Sequence, residues 1–89
     1  MEHSREVPIV NKYGLHARPA AAFVKLASRY GAEVWISKDD LEVSGKSIMG
    51  VMMLAAECGS HVVIRAVGED AADAVDALSA LVASKFGEE

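Results

Sequence analysis

A chain of 89 residues, 52% hydrophobic and 25% charged, suits one domain with a modest core and is too short for two. Its formal net charge of −4, without any cluster of lysines and arginines, speaks against a nucleic-acid binder, which needs clustered cations to displace counterions from phosphates. The apolar runs are too short to span a bilayer and the start, MEHSREVP, lacks a signal-peptide core, so membrane insertion is not expected and the cytoplasm is the expected location.

Residues 5–10, REVPIV, combine β-branched and apolar side chains and predict a first strand, followed by the turn NKYG with Gly14 as its flexible member. From Ala17 the period changes. Ala20, Phe23, Val24 and Ala27 recur at helical spacing, with Lys25 and Arg29 outward, and predict an amphipathic helix ending near Gly31. EVWIS (33–37) and LEVS, separated by KDD, predict a β-hairpin with a solvated tip at Lys38–Asp40. Ser47 is a suitable N-cap for a second, short helix running to Glu57 and stopped by Gly59. HVVIRAV (61–67) predicts a strand. A last helix places Ala71, Val75, Leu78 and Val82 on one face, with Glu69 and Asp70 at its positive end. The order β-α-β-β-α-β-α implies a two-layer α/β (α+β) open-faced sandwich, a four-stranded antiparallel sheet with three helices on one face, in a single domain of residues 1–89.

Cys58 has no partner for an internal disulfide and reads as a small buried hydrophobe; Phe23 and Trp35 read as core, as does Met52 or Met53. His3, His16, Cys58 and His61 are not spaced as a metal site, and no metal or other cofactor is expected. His3 and His61 read as structural or solvated. The terminal Gly-Glu-Glu reads as a frayed end.

His16 has a different context. It stands where the first helix begins, so the unpartnered amides of Ala17 and Arg18 and the positive end of the helix dipole meet any anion held at its imidazole. Arg18 adds a guanidinium, and Pro19 loses nothing by lacking an N–H in the first turn. An imidazole is neutral and nucleophilic for a large fraction of molecules near neutral pH, so it can accept a phosphoryl group. With no P-loop and too little chain for a nucleotide cleft, the phosphate donor must be another protein.

GLHARPAA (14–21), followed downstream by KSIMGVMML (46–54), resembles the HPr family, the histidine-containing phosphocarriers of bacterial phosphotransferase systems, over nearly the whole chain. The resemblance implies that His16 takes a phosphoryl group on Nδ1 from the phosphohistidine of enzyme I, itself charged by phosphoenolpyruvate. His16 would pass the group to enzyme IIA domains in sugar uptake, with Arg18 stabilising it in passage. Such a chain is a component of the phosphotransferase system and not a stand-alone enzyme. A regulatory, nitrogen-type phosphocarrier is the alternative within the family, and a binding module in which His16 is incidental is the alternative outside it. The resemblance also implies that Ser47, flanked by Lys46 and Ile48, is a regulatory phosphorylation site for an ATP-dependent HPr kinase. Ile48, Met49 and Met52 would form an adaptable apolar patch for partners. A monomer is expected. Several family members carry asparagine immediately before the motif glycine, where this chain has Tyr13, so polar support of the histidine loop is expected to differ.

Overall fold

The computed structural model describes residues 1–87. Four strands, β1 (Glu2–Pro8), β2 (Glu33–Lys38), β3 (Leu41–Ser44) and β4 (His61–Val67), form one antiparallel sheet in the order β1-β4-β2-β3. Three helices, α1 (Ala17–Ala27), α2 (Ile48–Met53) and α3 (Ala71–Ala83), cover one face, as the sequence order predicts. Period-2 alternation turns Val34 and Ile36 of β2, and Val62, Ile64 and Ala66 of β4, into the space between sheet and helices. There they meet Ala20, Phe23 and Ala27 of α1, Val51 of α2, and Ala71, Ala74, Val75, Leu78 and Val82 of α3. Phe23, Ile36, Ile64 and Leu78 are wholly buried.

Several boundaries and placements differ from the sequence reading. β1 begins at Glu2, because Glu2–Ser4 pair with Val67–Arg65 although their side chains carry no apolar alternation. Beyond Pro8, Ile9 still exchanges backbone hydrogen bonds with Gly59 and Ser60. α1 ends at Ala27, closed by turns in which the amides of Arg29 and Tyr30 donate to the carbonyls of Leu26 and Ala27. α2 stops at Met53 and does not reach Glu57, because Ala55 takes a left-handed φ of 50° and breaks the ladder. Both Met52 and Met53 are exposed, and Val51 and Leu54 supply the buried side of that segment. Cys58 is exposed as well, since residues 55–60 run as a surface connection. The two glutamates of the end read as frayed lie outside the described residues.

Trp35 is not in the core. The same alternation that buries Val34 and Ile36 sends it to the uncovered face of the sheet, where the Arg65 guanidinium lies 4.2 Å from its ring centroid. Arg65 donates from Nε and Nη2 to the two carboxylate oxygens of Glu42 at 3.1 and 3.0 Å, a bidentate pair. This hydrogen bonding holds the Glu42 carboxyl below its ordinary range and raises Arg65.

The helix ends are tied to the sheet by polar contacts. Asp70, at the N-cap of α3, accepts from the amides of Gly31 and Ala32 at 2.9 and 2.8 Å, which fixes the connection between α1 and β2. The Gly31 bond is the main cause of a carboxyl held below its ordinary value, with the charge of Lys46 adding to it. Lys46 Nζ in turn donates to the Tyr30 carbonyl at 2.8 Å.

Candidate functional site

The loop from Ile9 to His16 is shaped by one close approach. Gly14 has φ 67°, and a Cβ there would lie 2.2 Å from the Ala56 carbonyl oxygen, so only glycine fits. The Leu15 amide donates to that same carbonyl at 2.9 Å. Asn11, almost fully buried, donates from Nδ2 to the Gly14 carbonyl at 2.8 Å. Polar support of the loop therefore comes from a residue three positions before the motif glycine, and Tyr13 has another neighbour, the histidine ring itself.

His16 is the N-cap of α1, with φ −79° and ψ −171°, and its carbonyl accepts the first helical bond from the Ala20 amide at 3.0 Å. Its side chain makes no cap bond, and α1 has no acidic residue in its first turn. The positive end of the helix is therefore not neutralised from within its own first turn, and the amides of Ala17 and Arg18 have no acceptor inside the helix. The imidazole as a whole is half-buried, whereas its Nε2 is buried.

His16 shares an open cleft with Arg18, Pro19 and Ala22 of α1, with Asn11, Lys12 and Tyr13 of the loop, and with Phe86 and Gly87. Its described lining carries two permanent cations, Lys12 and Arg18, and no carboxylate. The Tyr13 and His16 rings meet edge-on, centroids 6.1 Å apart at 86°, and the Lys12 ammonium sits 5.3 Å from the Tyr13 centroid. Phe86 reaches the cleft through a left-handed turn after α3, with Lys85 at φ 61° and Phe86 at φ 57°, and is nearly buried there.

Among the residues singled out from sequence, His16, Ala17 and Arg18 sit together at this helix start. Ser47, Ile48, Met49 and Met52 sit on α2, which packs against α1. Ser47 is the N-cap of α2 as predicted, its Oγ accepting from the Gly50 amide at 3.0 Å. Ile48, Met49 and Met52 are exposed, and Met53 extends the same apolar surface. Asn11, Lys12 and Phe86 were not found from sequence. Phe86 had one signal, a lone aromatic after a helix end, but nothing local announces a non-glycine residue in the left-handed region.

Residues 3–84 match the family model of the phosphotransferase-system HPr component phosphorylation site. The chain is 49% identical to phosphocarrier protein HPr of Cupriavidus necator and 46% identical to that of Neisseria meningitidis, each over 94% of both chains. In structure it is similar to HPr of Thermoanaerobacter tengcongensis, with TM-score 0.93, 47% identity and 98% of each chain covered. A fold of this likeness, a family match spanning the histidine loop and both motif segments, and full-length relatives at this identity agree: the chain belongs to the HPr family of the phosphotransferase system.

Proposed function

We propose that the chain is a phosphocarrier in which His16 receives a phosphoryl group on Nδ1 from phosphohistidine of enzyme I and hands it to enzyme IIA proteins in sugar uptake. One observation carries this reading. The His16 ring stands at the start of α1 without serving as its cap, at a cleft whose described lining holds two cations and no carboxylate. In the transfer from enzyme I the Nδ1 lone pair attacks phosphorus while the P–N bond to the donor imidazole breaks, its electron pair staying on the donor nitrogen. The moving group's charge is spread over three oxygens, which the Arg18 guanidinium and the Ala17 and Arg18 amides stabilise. Because the new P–N bond is again a high-energy one, the group can leave toward an enzyme IIA nucleophile by the same step in reverse order.

Ile48, Met49 and Met52 serve as the docking patch, where flexible methionines adapt to more than one partner. Ser47 is a second phosphorylation site, used by an HPr kinase. A phosphate of about −1.5 to −2 charge beside the patch repels an acidic partner without unfolding α2. The protein acts as a cytoplasmic monomer, one HPr-like domain over residues 1–89.

Enzyme I with labelled phosphoenolpyruvate is expected to label the wild type and not His16→Ala, in an acid-labile, base-stable linkage; label on the variant would sink the assignment. Faster transfer from a sugar-type than from a nitrogen-type enzyme I is expected, and the opposite order would favour the regulatory branch. Incubation with HPr kinase and ATP, set against Ser47→Ala, tests the second site.

A further inference from the structure

Tyr13 lies outside the motif that carries the family resemblance, and its exposure of 70% rules out a core role. Yet its ring is not placed at random. The backbone on both sides is anchored: Asn11 Nδ2 donates to the Gly14 carbonyl, the Gly14 amide donates to the Asn11 carbonyl at 3.2 Å, and Gly14 is seated against Ala56. From that fixed turn the Tyr13 ring meets the His16 imidazole edge-on, at a separation inside the range that aromatic pairs prefer. The Lys12 ammonium lies near the tyrosine ring in a cation–π contact, which restrains the aromatic side chain in its turn.

We propose that Tyr13 is a positioning residue of the phosphoryl-transfer site, its ring holding the His16 imidazole in one orientation, the one aligned for transfer at Nδ1. The proposal rests on the reading of His16 as phosphoryl acceptor. Phosphoryl transfer asks little of a protein beyond alignment and charge, because attacking and leaving nitrogens must lie in line with phosphorus. An imidazole that turns about its χ2 bond spends part of its time with the Nδ1 lone pair off that line. The T-shaped contact with Tyr13 opposes this rotation, and it does so through the ring and not the hydroxyl. Loss of one edge-to-face pair changes the aligned population by roughly two- to tenfold.

The test compares wild type with Tyr13→Phe and Tyr13→Leu in two measurements. In the unphosphorylated protein, 13C relaxation gives the order parameter of the His16 ring. With phospho-enzyme I as donor, rapid-quench kinetics separate the transfer rate constant from the donor concentration at half-saturation. Tyr13→Leu is expected to lower the ring order and to slow transfer at saturation by about two- to tenfold, with half-saturation unchanged. Tyr13→Phe is expected to restore both. Unchanged ring order in Tyr13→Leu, transfer as fast as wild type, or a Tyr13→Phe protein as slow as Tyr13→Leu would each overturn the proposal. Absence of label on the wild type would instead remove the reading of His16, and the ring order would still decide whether Tyr13 holds the imidazole.

Discussion

At Gly14 two demands fall on one residue, a left-handed φ of 67° and a backbone approach that leaves no room for a Cβ. Gly14→Ala is expected to lose about 2–5 kcal/mol, adding the left-handed penalty to the strain of overpacking. Ala55 is the converse case. It has φ 50° without being glycine, so Ala55→Gly relieves about 1–2 kcal/mol of backbone strain. Glycine's greater freedom in the unfolded chain returns about 0.4–1 kcal/mol of that, and the expected net gain is about 0.5–1 kcal/mol. Urea denaturation of both variants checks the pair, and a destabilised Ala55→Gly would contradict the strain argument. Gly14 was legible in the sequence as a turn residue. Its partner, the Ala56 carbonyl, was not, since 42 positions separate them and no local pattern joins a turn to a loop that far along the chain.

On the scale of elements, the contacts at helix ends matter more than the helices' interiors. In the sequence Asp70 is a favourable charge at the start of α3, and in the structure it is the N-cap residue of that helix. The structure adds its two hydrogen bonds to the amides of Gly31 and Ala32, which join the start of α3 to the entry of β2. Those bonds favour the ionised carboxylate and hold its pKa below the ordinary 3.8. A carboxyl lowered in the folded state stabilises fully above its unfolded value and loses that contribution as pH falls from about 3.8 through the lower folded value. Asp70→Asn is therefore expected to be less stable at neutral pH and to show a shallower fall in melting temperature across that acid range. Melting curves of the two proteins between neutral pH and the range below 3.8 check this, and parallel profiles would count against it. α2 was legible from Ser47 onward because an N-cap is a local signal. Its end was not, because Ala55 carries no mark of the left-handed conformation it adopts.

For the whole molecule, charge is arranged against its own average. The chain has a net charge of −4, yet the described lining of the His16 cleft carries Lys12 and Arg18 and no acid. On the proposed function a phosphorylated partner would deliver its anionic group to the cleft that these cations line, where attraction acts inside a Debye length of about 10 Å at 0.1 M salt. Local attraction should then outweigh the repulsion of the overall charge. Association with phospho-enzyme I is expected to slow several-fold as salt is raised, and Lys12→Met should flatten that dependence. Stopped-flow kinetics over a salt series measure both, and association that quickens with salt would show that the net charge governs instead.

Sequence alone determined the order of elements, the two-layer class, the seat of His16 at a helix start and the N-cap role of Ser47. Each of these rests on residues close together in the chain, where periodicity and capping act. Only the tertiary structure decided which side of each element is covered. Alternation in β2 sets Trp35 opposite Val34 and Ile36, but the helices determine which set is buried, and they cover Val34 and Ile36. Helical spacing likewise did not say that both Met52 and Met53 would be exposed while Val51 and Leu54 face inward. The walls of the cleft are tertiary too. Phe86 joins the lining of the cleft from far along the chain, and Tyr13 gains its place beside the imidazole because Asn11, Gly14 and Ala56 fix the turn between them.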